Sequence, residues 1–285
     1  MQRLLPFLFV LLWSTGFIGA KFGLPYAEPL TFLLSRYVLV IGLMLLIVCL
    51  SRAPWPRDPR QWLHIGVSGM LVHGVYLGGV FMAIHHGLPA GLTALVVGMQ
   101  PLLTALAAGG WLGEKVAPRQ WLGLALGFAG VGLVVSGKSG AGLGAFSSML
   151  LPALVALLGI TAGTLYQKRF CTRFDLRTGS VLQFVPAALL TLPVALATET
   201  MQIQWSGEFI FALLWLVLVL SIGAISLLNV LIRQGSAVHV ARLFYLTPPT
   251  TALIAWGVFG ESLGPTALVG MGLAVAGVYL ARGPA

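Results

Sequence analysis

The sequence predicts an all-α membrane protein of ten transmembrane helices, built as two inverted five-helix repeats with both termini cytoplasmic. Three observations lead there: long, nearly uncharged apolar runs, an uneven distribution of Lys and Arg between them, and a second half that repeats the first at a fixed offset. Of 285 residues, 58% are hydrophobic and 8% charged, whereas a soluble domain carries about 25% charged residues. Apolar runs of about 20 residues match the thickness of a bilayer core. That core offers no water to backbone amides, so only helices or a closed barrel can cross it. Barrel strands would alternate apolar and polar residues. These runs are apolar throughout, which selects helices.

The spans fall in order at about 4–22, 29–50, 62–85, 89–111, 118–136, 146–166, 178–198, 209–231, 238–259 and 265–281. Arg3 before the first run resembles the start of a signal peptide, but no cleavage site follows, and the span has a counterpart later in the chain; a retained helix is expected. The connectors are turn-like: "SRAPWPRDPR" at 51–60 is rich in Pro and Arg, and "SGKSGAG" at 136–142 is a flexible link. None could hold a folded soluble domain. With the N-terminus inside, the inner segments carry twelve Lys and Arg against two (Lys21 and Lys138) outside, and Arg36 and Arg242 fall within spans. This is the positive-inside pattern. It also explains the net charge of +9 without nucleic acid, since the basic residues lack aromatic interleaving. Cys49 and Cys171 are too few for a disulfide scaffold and are expected to be reduced and structural.

An offset of 147 aligns the halves. Between Pro101 and Leu133, 15 of 33 positions equal their partners, among them Pro101/Pro248, Gly113/Gly260, Glu114/Glu261, Gly123/Gly270 and Gly130/Gly277. The expected units are 1–138 and 139–285. Each holds five spans, an odd number, so the second enters the membrane from the opposite side. The turn at Glu114 keeps Lys115 and Arg119, whereas its external copy at Glu261 has Ser262 and Thr266 in their places. Inverted repeats typify secondary transporters, which rock one half against the other around a midplane site.

Several motifs in this chain resemble those of the EamA family of the drug/metabolite transporter superfamily. They are Trp13-Ser14-Thr15, Arg36, Gln100-Pro101, Leu112-Gly113-Glu114, Gln120-Trp121-Leu122-Gly123 and Ala129-Gly130-Val131, echoed by Phe259-Gly260-Glu261 and Ala276-Gly277-Val278. The resemblance covers essentially the whole chain. It implies ten helices, a multi-pass inner-membrane location and movement of small metabolites, often amino-acid export. The second-half partner of Arg36 is Gln183, so the halves are not chemically equivalent.

The expected substrate site combines Arg36, which can engage a carboxylate, with Trp13, Tyr76 and Tyr245 as walls and Ser14, Gln100, Thr161, Thr164, Ser226, Asn229, Arg242 and Thr247 as polar positions. An intramembrane charge is costly and normally faces a cavity or partner, although Arg36 and Arg242 could also snorkel. By repeat symmetry Gly79, in span three beside Tyr76, is the partner of Ser226. Pro101, Pro248 and Pro249 should bend their helices, and Glu114 and Glu261 are either turn carboxylates favoured at the next helix's positive end or gates. Gly123, Gly127 and Gly130, with Gly270, Ala274 and Gly277, form small-residue faces expected to pack helices closely. No span interior holds Asp or Glu, which favours anionic or zwitterionic metabolites over lipophilic cations. His73 reads as a structural residue, and the adjacent His85 and His86 do not make a metal site; no cofactor or metal is expected. A small-molecule exporter embedded in lipid is the primary reading, with toxic-compound efflux and a non-transporting interaction protein as alternatives, and monomer or homodimer left open. An enzyme is not expected, because no nucleophile and base share a workable spacing.

Overall fold

The computed structural model describes residues 4–104, 107, 118–136, 143–171, 174–224, 227, 246–261 and 264–280. These form the helical segments α1 (Leu5–Gly23), α2 (Pro29–Ser51), α3 (Pro59–His85), α4 (Ala90–Thr104), α5 (Pro118–Ser136), α6 (Leu143–Phe170), α7 (Leu176–Thr198), α8 (Gly207–Ala224), α9 (Thr247–Phe259) and α10 (Pro265–Leu280). Among the described residues there is no β-strand; a single antiparallel bridge joins Ala27 to Ile203. The helices α1, α2, α3, α7, α8 and the stretch Ser148–Phe170 of α6 are long and apolar enough to cross a bilayer.

Local chemistry sets the helix ends. Proline opens α2, α3, α5 and α10, where its missing N–H would have had no helical partner. Asp58, Asp175 and Ser206 cap α3, α7 and α8 by accepting from the backbone N–H of Arg60, Arg177 and Phe209. α9 stops at Gly260, whose φ of 65° is the left-handed cap that a glycine adopts without strain. α4 is interrupted by a turn at Gly98–Met99, immediately before Gln100 and Pro101.

The apolar pattern does not foretell one feature. In α3 the backbone is π-helical over Met70–Leu77, and in α8 it is π-helical over Trp215–Ala224. The second stretch covers the positions that the 147-residue offset places opposite the first. Wide turns of this kind are rare and gather at functional sites.

The principal helix contacts are α5 with α10, α3 with α6, α3 with α7, α2 with α7, α4 with α9, and α1 with α8 and α9. The α5–α10 contact fits the expectation for the glycine faces: a Cβ at Gly130 would lie 2.4 Å from the Gly270 carbonyl oxygen, and one at Gly277 would lie 2.3 Å from that of Gly123. Only glycine permits that approach. The core is aromatic, with Phe32 packed 5.3 Å from Phe81 and 5.0 Å from Phe209, centroid to centroid. Leu50, Leu189, Leu253 and Trp256 are exposed, as expected for faces solvated by lipid.

Candidate functional site

A cavity of about 120 Å³ lies between α1, α2, α3, α6 and α8, and its walls include Trp13, Phe17, Arg36, His73, Tyr76 and Phe81. Arg36 is only 5% exposed, so it does not snorkel to the rim. Its Nη2 donates to the Ser221 hydroxyl at 3.2 Å, and that hydroxyl donates to the Leu216 carbonyl within the π-helical stretch of α8 at 3.1 Å. The Nε of Arg36 has no hydrogen-bond partner among the described residues. No described carboxylate pairs with it either: Glu28, Asp58, Asp175, Glu199, Glu208 and Glu261 all sit in or beside the helix-connecting segments. A guanidinium held by one hydroxyl, with a donor left over, is suited to an incoming carboxylate.

The π-helical stretch of α3 supplies His73 and Tyr76 to the same cavity. The Tyr37 hydroxyl donates to the His73 carbonyl at 2.6 Å, and the His73 ring stacks on Phe184 at 4.0 Å. His73 is thus fixed from two sides, in keeping with a structural role for its ring.

Of the residues singled out in the sequence, the structure brings Trp13, Arg36 and Tyr76 together in the cavity wall. Ser14 instead sits in the α1–α9 seam, where its hydroxyl donates to the Thr247 carbonyl at 3.4 Å and its carbonyl accepts from Thr251 at 3.5 Å. Thr247 is buried in that seam, and its hydroxyl has no partner among the described residues. Gln100 and Thr164 bond to each other at 3.1 Å, and Thr161 donates back to the Leu157 carbonyl at 2.7 Å; none of the three belongs to the cavity lining. Gly79 packs against the Pro152 carbonyl and Ala156, so it provides close approach and not a wall. Pro248 and Pro249 fall in the first turn of α9, where they fit without disrupting helical bonds. Ser226, Asn229, Arg242, Tyr245 and Glu114 lie outside the described residues. Sequence reasoning missed Ser221 and Tyr37. Their signal was weak: an isolated serine within an apolar run, and a tyrosine adjoining the buried arginine.

The helix ends beyond the cavity are tied by carboxylates. Glu261 pairs with Lys21 at the end of α1 and accepts from the Ala90 N–H at 3.2 Å. The amide it caps therefore opens α4, not α10 as its place in the sequence suggests; the two turns meet in space. Lys21 also lies 4.7 Å from the centroid of the Phe259 ring. Glu199 accepts from the N–H groups of Leu30 and Thr31 at 2.8 and 2.7 Å and from the Thr31 hydroxyl at 2.8 Å. The Thr200 hydroxyl and N–H bond Glu28 and hold its carboxyl below the ordinary value. These contacts join α1, α2, α4, α7, α8 and α9 at one end of the bundle.

The EamA-like transporter family matches residues 3–136 and again 147–283. The chain belongs to that family. Its relatives include the transporter YvbV of Bacillus subtilis (strain 168), 33% identical over 97% of this chain and 90% of that protein. The inner membrane transporter YedA of Escherichia coli (strain K12) is 27% identical, covering 98% and 91%. A protein of Salmonella typhimurium named as a probable amino-acid metabolite efflux pump is 25% identical, covering 97% and 93%. A crystal structure with 21% identity superposes with a TM-score of 0.64 over 98% of this chain and 95% of the other, which indicates a shared fold. This EamA member is accordingly a multi-pass inner-membrane transporter rather than an enzyme.

Proposed function

We propose that this transporter exports small carboxylate-bearing metabolites, amino acids among them, by alternating access. It does so with ten transmembrane helices in two inverted units, 1–138 and 139–285, and with both termini in the cytoplasm. The observation that carries the proposal is Arg36, buried in a cavity wall with one donor unpartnered among the described residues and no described carboxylate beside it. The π-helical stretches at matching positions and the contacts between corresponding helices support two related units. The Salmonella typhimurium relative, named as a probable amino-acid metabolite efflux pump, supports amino-acid metabolites. Arg36 anchors the carboxylate, Trp13 and Tyr76 form the walls, and the Lys21–Glu261 junction closes the external end. Ser226, Asn229, Arg242 and Tyr245, outside the described residues, are further proposed substrate positions; Gln100, Thr161, Thr164, Ser14 and Thr247 hold the surrounding helices, and Pro101 and Glu114 are proposed for the second gate. Binding to the folded protein raises its stability by about 2.7 kcal/mol at a hundredfold excess over Kd. A thermal-shift screen of the purified protein against amino acids, organic acids and lipophilic cations tests this reading. Stabilisation by carboxylates, lost in Arg36→Ala, is expected.

The apolar walls of the cavity favour one second reading, efflux of lipophilic compounds. Stabilisation by cations alone would select it.

A further inference from the structure

Among the described residues the cavity offers a carboxylate a guanidinium and offers an ammonium no counter-charge. An ammonium taken out of water needs a carboxylate, freed backbone carbonyls or an aromatic face. The first is missing: the chain has only seven Asp and Glu residues, and the six that are described lie in or beside helix-connecting segments. The seventh, Glu114, belongs by sequence to the turn between α4 and α5. The second is diminished where it would be most useful. Where a π-helical stretch meets α-helix a carbonyl can lose its usual partner, and transporters hold cations on freed backbone carbonyls. Here the His73 carbonyl in α3 is taken by the Tyr37 hydroxyl, and the Leu216 carbonyl in α8 by the Ser221 hydroxyl. Among the described lining residues the aromatic faces left to an ammonium are those of Trp13, Phe17, Tyr76 and Phe81, and they share the cavity with the Arg36 guanidinium, which repels a second cation.

We infer that the cavity selects monocarboxylates with an apolar body over the corresponding zwitterionic α-amino acids. The inference rests on the reading of Arg36 as the carboxylate anchor and narrows its substrate class. The free volume, about 120 Å³, is near the ~150 Å³ of an apolar void that holds one benzene ring. The favoured body is thus a single ring or a short branched chain, packed against Phe17, Tyr76 and Phe81, with its carboxylate on Arg36.

The test uses two matched sets on the purified full chain, read as dissociation constants from thermal shift at neutral pH. One set is leucine, 4-methylpentanoate (leucine without its ammonium) and 3-methylbutylamine (leucine without its carboxylate). The other is phenylalanine, 3-phenylpropanoate and 2-phenylethylamine. In at least one set the deaminated acid should bind about tenfold or more tightly than the amino acid, a difference of about 1.4 kcal/mol. The amines should be inert, and Arg36→Gln should weaken both acid-bearing ligands. If in neither set the deaminated acid binds more tightly than its amino acid and binding still depends on Arg36, an ammonium subsite exists; the inference falls and the anchor stands. If no carboxylate binds, if the amines alone bind, or if Arg36→Gln changes nothing, the anchor itself falls. Should Arg36→Gln not fold, Arg36→Lys keeps the charge but loses the planar fork, and the acid-to-amino-acid ratio in the unaltered protein still decides the inference.

Discussion

Glu261 ties the end of α1 to the start of α4 with one carboxylate, so neutralising it should loosen the closure proposed for that end. In Glu261→Gln the ion pair with Lys21 becomes a hydrogen bond from the ammonium to an uncharged amide oxygen, while the Ala90 N–H keeps an amide oxygen to donate to. Exposed ion pairs are worth about 0.2–1 kcal/mol, and hydrogen bonds to charged groups about 1.5–3 kcal/mol. The Glu261 side chain is 10% exposed and that of Lys21 31%, which places this pair between the two classes, at about 1–2 kcal/mol. Lost from the closed state alone, that shifts the closed-to-open ratio by a factor of about 5–30. The assay is labelling of a cavity cysteine, Val80→Cys, by a membrane-impermeant thiol reagent added outside intact cells. Cys49 and Cys171 are first replaced, since both are free. Glu261→Gln should speed labelling by that factor. Lys21→Gln should do nearly the same, and the double variant little more than Glu261→Gln, because two groups that act through one contact are not additive. An unchanged rate in Glu261→Gln, or fully additive single effects, would refute the closure argument.

Other expectations follow from the packing and the caps. Gly277→Val sets a branched side chain against the Gly123 carbonyl and should lower the melting temperature in detergent, at a cost of about 1–3 kcal/mol. Gly257→Ala, with nothing within 4 Å of the added carbon, should be neutral or slightly stabilising in the same melt. Glu199→Ala leaves two backbone amides and the Thr31 hydroxyl at the start of α2 without their acceptor and should cost about 1–2 kcal/mol of thermal stability. Asp175 has its carboxyl pushed below the usual value of 3.8, first by its side-chain bond from Arg177. Its contribution to stability is therefore full above that value and is lost as pH falls through the lower, folded one; acid melts of Asp175→Asn should lack this component.

The legible part of the fold was what apolar length and charge placement dictate. Uninterrupted runs such as Pro29–Ser51 leave helix as the one way to satisfy the backbone in lipid, and the helix is found there. Arg36 stood out because it has no local partner, and the structure buries it in a cavity wall. Other features depend on contacts far apart in sequence. Glu261 looked like the cap of the helix that follows it, yet it bonds an amide 171 residues away. Ser14 and Gln100 looked like wall residues because both are polar, but a hydroxyl or amide inside a bundle can as readily pin two helices, as their bonds to Thr247 and Thr164 do. The π-helical stretches have no compositional mark: "MLVHGVYL" and "WLVLVLSIGA" are as apolar as their α-helical neighbours. Their wide turns were invisible to a reading that assumes 3.6 residues throughout.

At the α5–α10 seam, Gly130 faces the Gly270 backbone and Gly277 faces the Gly123 backbone. An interface of side chains can creep as rotamers re-pack, but one of bare backbone has no rotamers to change. A slide of one residue, about 1.5 Å, would drive neighbouring side chains into carbonyls already at contact distance. α5 and α10 thus behave as a single stiff stave. The two contacts are images of each other under the 147-residue offset, so the stave joins the two repeats symmetrically. On the proposed alternating-access cycle a seam that cannot re-pack moves as one piece, and the travel falls to the helices that carry Arg36 and the Lys21–Glu261 junction.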